Sequence, residues 1–164
     1  MYNNTVRITK EFSFEMSHLL YNHKGDCKNI HGHSYRLFVT IKGRPNGNVN
    51  APSYGMLIDF AELKEIINSK IILQFDHALA VSEEAYKNSF LTNYRGKIVV
   101  KPFEPTCENL VSCFAEIIRK NLPKNVELHS LKLYETPTSY TEWHLDDQSE
   151  FVNFQKNFFG LMQG

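Results

Sequence analysis

Two long stretches of alternating polarity dominate the first third of the chain, and any fold has to bury one face of each. From Val6 to His18, residues Val6, Ile8, Phe12, Phe14 and Met16 share one parity, with Arg7, Thr9, Glu11, Ser13 and Glu15 on the other. A period of two is that of a half-buried β-strand. His18 falls on the apolar parity, at the strand end. A second strand is expected from about His31 to Ile41, where Tyr35, Leu37, Val39 and Ile41 share the parity of His31 and His33. The alternation therefore puts His18, His31 and His33 at the inward-facing ends of two strands, joined by a loop containing Cys27. Neutral imidazole is the commonest biological metal ligand. Three protein ligands with an open fourth position is the pattern of a catalytic zinc rather than a structural one. Gly32, between two of the histidines, brings no side chain to crowd an ion.

The remaining pattern is mixed. Arg44-Pro45-Asn46-Gly47-Asn48 reads as a turn. Asp59-Phe60-Ala61-Glu62 reads as a capping box, with Asp59 the N-cap. Phe60, Leu63, Ile66, Ile67, Ile71 and Gln74 then follow helical spacing. Thr106 is the expected N-cap of a second helix, with Glu108 in its first turn and Leu110, Val111, Phe114, Ile117 and Ile118 on its apolar face. Short strands are expected at 97–100, 126–135 and 140–144, with Thr136-Pro137-Thr138-Ser139 as a turn. The order argues an α+β domain, an antiparallel sheet with two helices on one face. The segment from Glu83 to Gly96 reads as an irregular inserted loop. The extension from about Asp146 is rich in phenylalanine (Phe151, Phe154, Phe158 and Phe159) and suits packing on the core or on a partner subunit.

The chain has 164 residues, a length that suits one compact domain, 1–164. Lys+Arg and Asp+Glu both count 18, without the basic excess of a nucleic-acid surface. No apolar run is long enough to span a bilayer, and Met1-Tyr2-Asn3-Asn4 has no basic segment leading into an apolar one, so neither a membrane span nor a signal peptide is expected. Three cysteines, Cys27, Cys107 and Cys113, without regular spacing suit free thiols in a reducing cytoplasm.

Beyond the histidines, a few residues carry chemistry. Cys27 has two roles open to it, a fourth ligand closing a metal site or a base beside an open one. Asp76-His77 follows the first helix; an aspartate orienting an imidazole fixes its tautomer and raises its basicity, but the dipeptide by itself reads as a helix-terminal polar pair. Glu135 shares the parity of Leu131 and Leu133, so an apolar strand face ends in a carboxylate. A solvated strand end and a carboxylate accepting two parallel N–H bonds fit it equally. His23, His129 and His144 carry no comparable signal. A His-Glu-x-x-His helix, the mark of a common class of zinc hydrolase, is absent.

Several blocks together resemble the 6-pyruvoyl-tetrahydropterin synthase superfamily: Phe12-Ser13-Phe14-Glu15-Met16-Ser17-His18, Cys27 with three residues before His31-Gly32-His33, Gly55-Met56-Leu57-Ile58-Asp59-Phe60, Phe75-Asp76-His77, Pro105-Thr106-Cys107-Glu108-Asn109-Leu110, and Glu135-Thr136. They occur in the family's order. The three-residue spacing after Cys27 resembles the bacterial 6-carboxy-5,6,7,8-tetrahydropterin synthases of the queuosine pathway more than the eukaryotic pyruvoyl-forming enzymes, which place five. A branch with glutamate in place of the cysteine fits poorly. The resemblance implies a tunnelling (T-) fold with a four-stranded sheet, and zinc held by His18, His31 and His33. It implies Cys27 as general base, with Asp76 and His77 completing the proton-transfer set. Glu135 would anchor a pterin edge, with Thr106 and Glu108 beside it. It further implies a homohexamer built from two trimers, its active sites between subunits. The segment between His77 and Thr106 and the tail after Trp143 are longer than in the compact bacterial pattern.

Overall fold

The computed structural model describes residues 4–88 and 90–148. Strand β1 (Val6–His18) and strand β2 (His31–Gly43) form a long antiparallel hairpin in continuous register from Val6 opposite Gly43 to His18 opposite His31. Helix α1 (Phe60–Ile67) follows, then strand β3 (Ala78–Ser82), helix α2 (Glu83–Asn88), strand β4 (Ile98–Lys101), helix α3 (Cys107–Asn121), strand β5 (Val126–Thr136) and strand β6 (Ser139–His144). The sheet has six strands in the order β4-β3-β1-β2-β5-β6. The expected four-stranded antiparallel sheet is therefore too small, and its connectivity is incomplete. Strands β3 and β4 extend it on the β1 side, and both pairings there are parallel.

The reason β3 escaped the pattern is physical. All five of its residues, Ala78-Leu79-Ala80-Val81-Ser82, are buried. A parallel strand covered on both faces reads as a continuous apolar run without alternation. Parallel neighbours need a long crossover, and residues 83–97 supply it. The stretch read as irregular in fact carries α2 and a 3₁₀ turn at Phe90–Asn93. Helix α2 brings Ala85 against Leu79, Val81, Leu19 and Leu91 in a small second core. A third helix is thus added to the two expected ones.

The main core lies between the sheet and α1 with α3. Phe12, Phe14, Met16, Tyr35, Leu37, Val39, Ile41, Leu128, Leu131 and Leu133 from the strands meet Leu63, Ile67, Leu110, Phe114 and Ile118 from the helices. Both expected caps form: Asp59 accepts the Ala61 N–H at 2.7 Å, and the Thr106 hydroxyl accepts that of Asn109 at 3.3 Å. Leu63, Ile67, Ile71 and Phe75 recur every four residues. In an ideal α-helix each such step drifts by about 40°. A π-helical segment, Asn68–Ile72, offsets that drift with one wider turn. Phe75 is consequently buried and the expected Gln74 is exposed. Among the described residues no helix is long and apolar enough to cross a membrane. The phenylalanine-rich tail, Phe151 to Phe159, lies outside the described residues.

Phe114 is fully buried and meets Phe14 and Phe75 edge-on, at centroid distances of 6.2 and 4.9 Å. Phe114→Ala is expected to lower unfolding free energy by about 3–5 kcal/mol, read from urea denaturation. Asp59→Ala, which removes only a cap, is expected to cost about 1 kcal/mol in the same experiment.

Candidate active site

The hairpin register builds a three-histidine cluster. His18 ends β1 directly opposite His31, and His33 faces Met16 two residues further along β2. Ring centroids are 4.5 Å apart for His18–His31, 5.2 Å for His18–His33 and 5.1 Å for His31–His33. One nitrogen of each lies within 4.8 Å of those of the other two, a spacing that allows one metal ion.

Main-chain carbonyls set the tautomers. His18 Nδ1 donates to the Pro105 carbonyl at 2.8 Å, and His31 Nδ1 donates to the Asn29 carbonyl at 2.9 Å. Each Nε2 is thereby left as the lone-pair atom, the usual outer-sphere arrangement of a metal-ligating histidine. Burial lowers the pKa of His18. The Pro105 carbonyl and Glu135 oppose the shift, and His31 and His33 add to it. A neutral ring is the ligating form. His18 Nε2 is buried and makes no hydrogen bond, although Glu135 Oε1 lies only 3.5 Å away. A lone pair facing a carboxylate oxygen is two acceptors without a donor. A cation between such groups resolves the mismatch, so the residues present fit a metal.

Local folding places the other groups. A 3₁₀ turn at Asp26–Lys28 presents Cys27, and the Cys27 carbonyl accepts the Leu20 N–H at 2.8 Å, tying the loop to the end of β1. Glu135 sits where the β5–β6 register shifts between Tyr134 and Thr136. Such a bulge re-aims a side chain. Its Oε1 accepts the Tyr35 hydroxyl at 3.2 Å and lies 3.9 Å from His33 Nε2. Burial, followed by Glu135, pushes the Tyr35 phenol far above its ordinary pKa, so it stays a donor. One cavity of about 400 Å³ is lined by Cys27, His18, His31, His33, Thr106, Glu108 and Glu135. Seven of the nine expected site residues therefore meet in one chain.

Asp76 and His77 do not join them. His77 opens on a separate cavity of about 360 Å³ with Glu15, Ser17, Gly32 and Ser34, and His33 is the only histidine common to both cavities. The pair itself forms, with His77 Nδ1 2.9 Å from Asp76 Oδ1. Asp76 Oδ1 also accepts the Glu15 N–H at 2.9 Å, and the His77 N–H donates to the Glu15 carbonyl. His77 has a left-handed backbone, φ 58°. It is a strained setting of the kind that gathers at functional sites. Gly32 plays a different part from the one expected. A Cβ there would meet the Met16 carbonyl at 3.3 Å, so its bareness spares the neighbouring strand rather than an ion.

Sequence reasoning missed Pro105, Glu104 and Tyr35. Pro105 contributes only a carbonyl, which no residue type announces. Glu104 holds that carbonyl's loop in place by accepting from Ser82 Oγ at 2.9 Å and the Tyr21 N–H at 3.1 Å. Tyr35 was legible as core, yet its hydroxyl at a strand position beside two histidines was an available signal. Cys107 donates to the Leu133 carbonyl, and burial pushes its thiol and that of Cys113 up, which marks both as unreactive.

The family model for 6-pyruvoyl tetrahydropterin synthase matches residues 7–145. A Haemophilus influenzae protein named 6-carboxy-5,6,7,8-tetrahydropterin synthase is 34% identical over 141 residues, covering 84% of this chain and 97% of its own. A Rickettsia typhi protein of the same name is 32% identical over 141 residues, covering 84% and 99%. A Dictyostelium discoideum 6-pyruvoyl tetrahydrobiopterin synthase is 36% identical over 85 residues, 46% of this chain and 59% of its own. Among solved structures, the Caenorhabditis elegans 6-pyruvoyl tetrahydropterin synthase shares the fold with a TM-score of 0.62 at 23% identity, covering 88% of this chain and 99% of its own. An uncharacterized Wolinella succinogenes protein does so with a TM-score of 0.69 at 22% identity, covering 87% and 99%.

Two outcomes test this geometry. His31→Ala is expected to lose bound divalent metal after dialysis while Cys27→Ala keeps it, measured by metal analysis of the purified proteins. Asp76 is held below the ordinary aspartate range chiefly by the Glu15 N–H; burial opposes the shift, and His77 and then Lys97 add to it. That stability is complete above the unfolded value of 3.8 and is lost as pH falls through the lower folded value. Asp76→Asn is expected to flatten the acid-side fall of Tm below about pH 4.

Proposed function

Since the chain belongs to the 6-pyruvoyl tetrahydropterin synthase family, we propose that it is a zinc-dependent lyase that converts 7,8-dihydroneopterin triphosphate and one water molecule into 6-carboxy-5,6,7,8-tetrahydropterin, acetaldehyde and triphosphate. The observation that carries this reading is the convergence of Cys27, three histidines and Glu135 on one cavity. The names of the Haemophilus and Rickettsia relatives support the product. The reading places the enzyme in the cytoplasm, in queuosine formation, as one T-fold domain. The 83–96 segment and the extension beyond about residue 146 are additions to the compact pattern.

His18, His31 and His33 would hold zinc, which when bound supplies Lewis-acid stabilisation of negative charge developing on a substrate oxygen. Cys27 Sγ, as thiolate, takes a proton from substrate carbon and returns it. His77 acts as the complementary acid and base. Asp76 holds its Nδ1–H, which leaves Nε2 for proton transfer. Each such transfer contributes about 10²–10⁴-fold. Glu135 accepts the paired N–H groups of the pterin's aminopyrimidine edge. Tyr35 occupies one lone pair of Oε1 and fixes the carboxylate's orientation. Thr106 and Glu108 line the same edge. Because Cys27 and His77 open on different cavities of one chain, the reading assembles the protein as a homohexamer, a dimer of trimers, in which a neighbouring subunit completes each site.

A second reading ends at 6-pyruvoyltetrahydropterin without carbon–carbon cleavage, and the name of the Dictyostelium relative favours it. A third makes the site a non-catalytic zinc or pterin binder. Incubating zinc-loaded protein with 7,8-dihydroneopterin triphosphate and following products by mass spectrometry separates them. Carboxytetrahydropterin with acetaldehyde is expected; pyruvoyltetrahydropterin without acetaldehyde selects the second reading, and unchanged substrate the third. Cys27→Ala is expected to lose about 10²–10⁴-fold in turnover with metal and fold intact.

A further inference from the structure

Helix α1 continues through the π segment to a last turn at Leu73–Phe75, and the chain then leaves it abruptly. Asp76 is extended, at φ −61° and ψ 128°, and His77 is left-handed at φ 58°. Glycine usually takes a left-handed position past a helix, because a Cβ there costs about 1–2 kcal/mol. A histidine in that place needs its surroundings to hold it. The last carbonyls of the helix also need donors.

Lys97 answers both needs from the next strand pair. Its Nζ donates to the Leu73 carbonyl at 2.7 Å and to the Asp76 carbonyl at 2.8 Å. Its own carbonyl accepts the Leu79 N–H at 2.9 Å, at the start of β3. One residue thus grips the backbone before His77 with its side chain and the backbone after it with its main chain. Among the described residues, no other side chain donates to the carbonyls of Leu73 and Asp76. Its cation also sits where a helix C-terminus favours positive charge.

We propose that Lys97 is the positioning residue of the Asp76–His77 pair, clamping the strained turn so that the imidazole is presented in one orientation. This rests on the reading of His77 as a proton-transfer group. Lys97→Met keeps the stem and removes the charge and all three donors; Lys97→Arg keeps charge and donors. Full-length, metal-loaded proteins are assayed with 7,8-dihydroneopterin triphosphate. Imidazole ¹H–¹⁵N spectra are recorded beside the kinetics, His77 being the signal missing from His77→Ala.

Lys97→Met is expected to keep KM and metal content, to lose kcat on the order of 10- to 100-fold, and to shift the His77 signal. Lys97→Arg is expected to recover most of both. An unmoved His77 signal in Lys97→Met overturns the proposal, as does wild-type kcat in Lys97→Met while His77→Ala is inactive. If His77→Ala turns over at the wild-type rate, the proton-transfer reading has failed instead, and the His77 signal alone decides whether Lys97 positions the ring. Where Lys97→Met does not fold, Lys97→Leu, which likewise has no donor, replaces it with the same readings.

Discussion

Thirteen paired residues hold β1 against β2, and the chemistry of the molecule depends on the register of that ladder. Strand side chains alternate between faces, so a slip of one residue would turn the whole apolar set of β1 out to solvent. The same slip would separate His18 from His31. Register and cluster are therefore secured together: Phe12, Phe14 and Met16, buried against α1 and α3, fix the pairing that brings three imidazoles to the end of the same stripe. The site is the polar terminus of a hydrophobic core, and the burial of Leu37 and Val39 stabilises the geometry of residues that contribute nothing apolar.

At that terminus the main chain decides the chemical form. Three imidazoles packed ring against ring repel one another if protonated, and burial disfavours the charge on His18 further. The Pro105 and Asn29 carbonyls then choose which nitrogen keeps its proton. Glu104 secures the first of these by bridging β3 and the end of β1. A metal-capable cluster drawn by the hairpin is thus completed by a loop 87 residues further along the chain.

The Asp76–His77 pair is built by a different device. No core stripe points at it. It sits on a turn set by the end of a helix, the Glu15 backbone and Lys97. Its imidazole is well exposed, with 77% of the side chain accessible. A group so placed is open to a molecule outside its own fold.

What could be read from the residues alone was whatever repeats or caps. The alternation of β1 and β2 located three histidines on one face; Asp59 and Thr106 marked both helix starts; Glu135 stood out as a carboxylate ending an apolar parity. Each is a local signal, carried by residue type at a fixed spacing. Tertiary structure decided the rest. Strand β3, covered on both faces, has no period to detect. The π turn that buries Phe75 instead of Gln74 is a response to packing. The separation of Cys27 from His77, the donation of His18 to Pro105 and the grip of Lys97 on Asp76 join residues far apart in sequence through backbone groups common to every residue. A carbonyl has no residue type, so only the folded chain can show which one a side chain will meet.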